Sequence, residues 1–197
     1  AGTTPHIIYQ SDFEQGSEGW QDISSGLYHW TMSTVQAHSP ATAWLSSVPA
    51  QISDQRLVSP SFSLPEGETP LSLSFWHRWT FDSASACNDG GVLEISTNNG
   101  ETWVQVTSSN LLTNPYTGTV RTGVYNPIAS RQAWCGVSDW TWTVVDLAAY
   151  AGENVTFRFR MGSGNAGAAE GWYLDDLRVQ SCIQPAPQQL FLPMLMK

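Results

Sequence analysis

Apolar and polar residues alternate with period two along most of the chain, and the helical period of three to four residues is nearly absent. In the clearest stretch Leu71, Leu73, Phe75, His77 and Trp79 share one parity, while Ser72, Ser74, Trp76, Arg78 and Thr80 occupy the other. Successive side chains of a strand point to opposite faces, so this pattern predicts a strand with one face buried. Further strands are expected over 92–96, 102–106, 142–147, 157–161 and 172–179, and weaker ones near 7–13, 27–33, 42–47 and 56–63. Asn98-Asn99-Gly100 separates two of them and is a strong hairpin signal, because Asn and Gly tolerate positive φ. Pro60, Pro65 and Pro70 punctuate loops, since proline cannot donate to a central ladder. Some ten short strands joined by polar loops predict an all-β fold: a two-sheet antiparallel β-sandwich of jelly-roll type.

Two stretches break the pattern. Residues 108–141 are long, loop-like and rich in Gly, Asn, Tyr and Trp, and loops of that length in a compact domain are usually functional or pinned. Residues 184–189, Gln-Pro-Ala-Pro-Gln-Gln, are expected as a stiff linker between one domain, 1–183, and a C-terminal tail, 190–197. The tail carries Leu190, Phe191, Leu192, Met194, Leu195 and Met196 around Pro193. Burying such side chains gains about 1.5–3 kcal/mol each, and an extended apolar segment can add itself to an open sheet edge. The tail is therefore a candidate donor strand for head-to-tail assembly into an oligomer or filament.

The 197 residues include 17 acidic and 8 basic ones, a net charge of −9, and Lys197 is the only lysine. Nucleic acid and anionic membranes are bound through Lys/Arg patches, so both are poor partners for this chain, and no apolar run reaches the length of a membrane span. A chain that opens on Ala1 is expected as a mature secreted form, at a bacterial cell surface. Three cysteines in a chain with one lysine fit an oxidising compartment. Cys87 and Cys135 both flank Gly-rich turns, and a disulfide between them would tie the long loop to the sheet; Cys182 is left over, either free or paired with another chain. The four histidines lack metal-ligand spacing, and neither a nucleophile elbow nor a phosphate loop is present, so the chain is expected to be non-catalytic. Ten tryptophans raise sugar binding, since sugars stack on flat aromatic faces; Trp134, Trp140 and Trp142, in or beside the long loop, are the candidates.

Ser96 to Trp103 resembles the Asp-box hairpin motif, with Asn98 where Asp is commoner, and is expected as a folded hairpin with Trp103 packed. Asp12-Phe13-Glu14 near the start and Trp172-Tyr173-Leu174-Asp175-Asp176 near the end resemble the structural calcium site of jelly-roll carbohydrate-binding modules. If the first and last strands lie side by side, Glu14 and Asp175, with Asp12 and Asp176, would supply oxygens to a Ca²⁺ ion. The ordered series Cys87 to Ser96, Asn126 to Trp134, Val145-Asp146-Leu147, Phe157 to Gly162 and Gly171 to Asp176 resembles a MAM-like jelly-roll domain of secreted bacterial proteins, found C-terminal in immune-inhibitor-A-type metalloproteases. The resemblance covers most of residues 7–180 and implies a non-catalytic domain without the protease. That family often has Ser at the position of Cys135, which favours the pairing with Cys87 as a joint change. The expected function is a secreted structural protein that assembles through its tail. The alternative is a carbohydrate-binding or adhesive module, or the accessory domain of a secreted protease.

Overall fold

A computed structural model of the chain describes residues 4–81, 87–165 and 167–183. The expected linker at 184–189 and the tail at 190–197 lie outside the described residues. In chain order the strands are β1 (Thr4–Ser11), β2 (Gln21–Asp22), β3 (Trp30–Ser33), β4 (Ala43–Val48), β5 (Ser53–Val58), β6 (Phe62–Ser63) and β7 (Ser72–Thr80). After them come β8 (Gly90–Ser96), β9 (Val104–Gln105), β10 (Gly118–Thr119), β11 (Gln132–Ala133), β12 (Val137–Asp146), β13 (Asn154–Ser163) and β14 (Ala169–Ile183). One antiparallel sheet runs β12-β7-β14-β4-β3, with β1 pairing the second half of β14; the other runs β2-β5-β13-β8-β9, with β6 pairing β13. The two sheets face each other as the sandwich that the alternation predicts.

The alternation of β7 holds in space. Leu73, Phe75, His77 and Trp79 are buried between the sheets, and Ser72, Trp76, Arg78 and Thr80 lie on the outer face. Against them pack Leu93 and Ile95 from β8, Phe157 and Phe159 from β13, and Trp172, Leu174, Leu177 and Val179 from β14. Gly91 is required here: a Cβ at this position would stand 2.5 Å from the Trp172 ring. Gly171, at φ +119°, is required too, because a Cβ would lie 2.1 Å from the Ser46 carbonyl.

The long loop is pinned rather than free. Cys87 and Cys135 are joined in a disulfide with Cα atoms 5.3 Å apart. Gly91 and Trp134 exchange two backbone hydrogen bonds of 3.0 Å, and Val120, Ile128 and Ala133 form a small second core with Val92 on the outer face of β8. At the hairpin after β8, Ser96 Oγ accepts from the Gly100 amide at 2.9 Å and Asn98 Oδ1 from the Thr102 amide at 2.9 Å. Trp103 lies beneath the Arg158 guanidinium, 4.2 Å from its ring centroid.

His77 is the buried polar group of this core. The Trp172 indole N–H donates to His77 Nδ1 at 3.2 Å, so the ring proton sits on Nε2, which donates to Thr143 Oγ1 at 2.8 Å. Complete burial lowers its pKa from 6.5 to about 3. The unfolded chain takes up a proton at His77 below pH 6.5 and the folded chain does not, so this stabilisation is full above 6.5 and is lost as pH falls toward 3. In urea unfolding, the wild type is expected to lose about 2–3 kcal/mol more than His77→Gln between pH 7 and pH 4.5. Equal losses would contradict the buried neutral imidazole.

Candidate functional site

The outer face of the β7 sheet carries a groove of about 280 Å³. Its residues come from four strands. Trp142 on β12 is directly opposite Trp76 on β7. One step along, Ser74 on β7, Arg178 on β14 and Gln10 on β1 are in register across three strands, and the next row carries Ser72 and Gln180. Trp142 is 46% exposed and Trp76 is half-buried. The side chains of Gln10, Ser74, Arg178 and Gln180, which line the groove, make no hydrogen bond or ion pair with any described residue.

A bulge in β14 between Asp175 and Arg178 creates this arrangement. Trp172 and Leu174 point into the core, but the extra residue shifts the phase, so Leu177 and Val179 take over the core face. Arg178 and Gln180 thereby reach the outer face. Asp176 sits at the bulge with φ +47°. Its carboxylate accepts from His38 Nδ1 and, at 2.6 Å, from Ser39 Oγ. The His38 ring lies flat on Trp76, with centroids 3.9 Å apart and planes 12° from parallel, and Trp140 meets its edge at 5.7 Å.

The structure separates the three expected sugar-binding tryptophans. Trp142 is in the groove. Trp140 is half-buried beside it and packs on His38 and Tyr173. Trp134 is fully buried, ringed by Phe75, His77, Tyr116 and Trp172, with its indole N–H donated to the Asn114 carbonyl at 2.9 Å. It is a core residue carried in on the long loop, and no ligand reaches it. Trp76 was missed, although its position on the polar parity of β7 marked it as outward-facing.

β1 pairs the second half of β14, which brings the start and end of the domain together, and three of the expected calcium ligands, Glu14, Asp175 and Asp176, accept hydrogen bonds from the segment 38–42. Asp175, fully buried, accepts from the amides of His38 at 2.7 Å and Ser39 at 3.1 Å through one oxygen, and from the Asp176 amide at 2.8 Å through the other. Glu14 Oε1 accepts from the amides of Ala41 at 3.1 Å and Thr42 at 2.7 Å, and Asp12 Oδ1 from the Glu14 amide at 3.2 Å. Both oxygens of Asp175 are thus taken by the backbone. Among the described residues no group of three or more His, Cys, Asp or Glu side chains is gathered to hold a metal ion. In this structure the carboxylates tether the loop that carries His38.

The outer face of the second sheet is closed by ion pairs. Asp54 is held by Arg160 at 2.7 Å and Arg56 at 2.6 Å, and Glu94 by Arg158 at 2.5 Å and Arg131 at 2.7 Å. Burial alone would raise both carboxyls, but the hydrogen bonds and charges of these arginines outweigh it and hold both below their ordinary pKa values. Cys182, on β14, is a free thiol.

Folds of this class, antiparallel β-sandwiches, include adhesin domains and carbohydrate-binding modules. The K3 cleaved adhesin domain of Lys-gingipain from Porphyromonas gingivalis W83 aligns with 90% of this chain and 99% of its own, at a TM-score of 0.54 and 20% identity. TmCBM61, solved in complex with β-1,4-galactotriose, aligns over 88% and 97%, at a TM-score of 0.52 and 14% identity. The CBM22-1 xylan-binding domain of Paenibacillus barcinonensis Xyn10C aligns over 92% and 97%, at 0.50 and 16%. At these identities the likeness is one of fold. In sequence, bacillopeptidase F of Bacillus subtilis strain 168 is 26% identical over 179 residues, which cover 86% of this chain and 10% of that protein. The chain thus spans about a tenth of the length of that relative. No family model matches it.

Burial raises the Asp175 carboxyl from 3.8 to about 6, against the three amides that lower it. The folded chain therefore holds this proton more tightly than the unfolded one, and stability from Asp175 is gained as pH falls from above 6 toward 3.8. The tether predicts that Glu14→Gln and Asp175→Asn lower the unfolding free energy at neutral pH, Asp175→Asn by about 1–3 kcal/mol, equally in calcium and in chelator. A calcium-induced rise in the wild type that both substitutions remove would instead establish the ion expected from the sequence.

Proposed function

We propose that the domain is a non-catalytic, secreted carbohydrate-binding or adhesive module that holds its ligand on the outer face of the β7 sheet. The observation that carries this reading is the groove itself. Two tryptophans, one nearly half exposed and the other with one face covered by His38, stand beside a row of polar side chains that have no hydrogen-bond or ion-pair partner among the described residues. Sugar rings need this combination: an apolar face for their C–H side and hydrogen-bonding groups for their hydroxyls. Two of the β-sandwiches that share the fold are described by the sugars they take, a galactotriose and xylan, which supports the reading. A disulfide supports an oxidising compartment. Glycoside hydrolysis takes two carboxylates flanking the bond, and among the described residues Asp176 is the only acidic one lining the groove, so the reading is binding rather than cleavage.

On a panel that includes xylan and β-1,4-galactan, the protein is expected to bind at least one polysaccharide. Trp142→Ala and Trp76→Ala should each weaken that binding about tenfold or more. Trp142→Ala should leave the melting curve nearly unchanged, since the side chain is half exposed. Binding of no glycan, or binding indifferent to both tryptophans, would contradict the assignment.

A second reading comes from the sequence of the tail. Assembly through Leu190 to Met196 would make the domain a subunit of an oligomer or filament, and likeness to a tenth of bacillopeptidase F together with the MAM-like resemblance supports a place beside a protease domain. Sedimentation of the full chain should then show concentration-dependent oligomers, and deletion of residues 188–197 a folded monomer. A monomeric full chain at high concentration would contradict assembly.

A further inference from the structure

We infer that the ligand of the β7 groove carries a carboxylate, as a uronate-containing glycan does, and that Arg178 is the residue that reads it. This rests on the carbohydrate reading above and adds the charge of the ligand. The protein has 17 acidic residues for seven arginines, so a guanidinium finds a carboxylate easily. Arg56 and Arg160 share Asp54, Arg131 and Arg158 share Glu94, and Arg78 pairs with Glu170 at 2.8 Å. Two arginines have no side-chain partner among the described residues. Arg121 is exposed on a loop, where water serves it. Arg178 is half-buried on a central strand, in the groove that holds the exposed Trp142.

A partly desolvated cation without an anion costs stability, and the chain retains it at the centre of a binding surface. The neighbouring acids do not answer it. Asp176 is turned to His38 and Ser39, and Asp146, on the far strand β12, accepts the Ala148 amide at 2.9 Å. Gln10, exposed and in register beside Arg178, has no side-chain partner among the described residues and is free to take a hydroxyl. Trp76 is the diagonal neighbour of Arg178, and such positions lie about 7–8 Å apart, the reach of one sugar unit. A pyranose stacked on a tryptophan face therefore brings a carboxylate on its own ring or the next one to the guanidinium, whose planar fork matches it. The net charge of −9 opposes a polyanion only at a distance and is screened beyond about 8 Å at physiological salt.

The test is affinity electrophoresis of the full chain in polygalacturonate, hyaluronan and alginate, each beside its carboxyl-reduced neutral counterpart of the same linkage. Retardation by the acidic member of at least one pair should be about tenfold stronger than by its neutral member, and the difference should shrink in high salt. Arg178→Gln, which breaks no hydrogen bond or ion pair with any described residue and should not lower the wild-type melting temperature, is expected to abolish the difference. Trp142→Ala should weaken both members. Equal retardation by the two members of every pair, or a preference that survives Arg178→Gln, overturns the inference. Binding confined to neutral polymers overturns the role of Arg178 while leaving the groove reading in place; loss of neither binding nor preference in Trp142→Ala overturns the groove reading itself.

Discussion

The burial of alternate side chains on β7 governs both faces of its sheet. Leu73, Phe75, His77 and Trp79 fill the space between the sheets, and the pleat then leaves Ser74, Trp76 and Arg78 no direction but outward. Core and groove are two sides of one strand. A slip of one residue would bury Arg78 and expose Phe75, so the register that builds the core also presents Trp76 opposite Trp142. The Trp172–His77–Thr143 chain of hydrogen bonds holds that register at the middle of the strand with a group that stays neutral at physiological pH.

The second determinant is the bulge in β14. Without it, the alternation set by Trp172 and Leu174 would turn Arg178 inward, where an unpaired guanidinium could not be accommodated. The bulge gives the core Leu177 and Val179 and the surface Arg178 and Gln180. It also places Asp175 and Asp176 consecutively against segment 38–42, which brings the His38 ring onto Trp76. Loop, bulge and aromatic face are thus one mechanical unit. By contrast, on the other sheet Asp54 and Glu94 are paired with four arginines.

Most of the fold was legible because alternation is a local signal. The strands around Leu73, Val92, Phe157 and Trp172 stand where period two put them, and the Asn-Gly turn closes the hairpin expected of it. The site was legible only in part. Of the proposed groove residues, Trp142 was singled out by residue type, and Trp76 could have been singled out by parity. Trp134 was misplaced because loop burial has no period: its depth depends on the backbone bridge to Gly91, a contact between residues 43 positions apart that no local pattern records. Arg178 was hidden by the bulge, although apolar residues at 172, 174, 177 and 179 carry the phase break in the sequence itself. The carboxylates of Glu14 and Asp175 both meet segment 38–42, but carboxylates that accept backbone amides and carboxylates that ligate a cation look alike until the amides are placed.

The groove is tested most directly by the indole N–H resonances in ¹H–¹⁵N spectra of the protein titrated with a glycan that it binds. Trp76 and Trp142 line the surface, whereas Trp134 and Trp172 are sealed in the core with their indole protons donated to Asn114 and His77. Large shifts of the Trp76 and Trp142 signals, with those of Trp134 and Trp172 left in place, are the predicted result. Binding that leaves Trp76 and Trp142 unmoved would place the ligand elsewhere on the molecule and contradict the assignment.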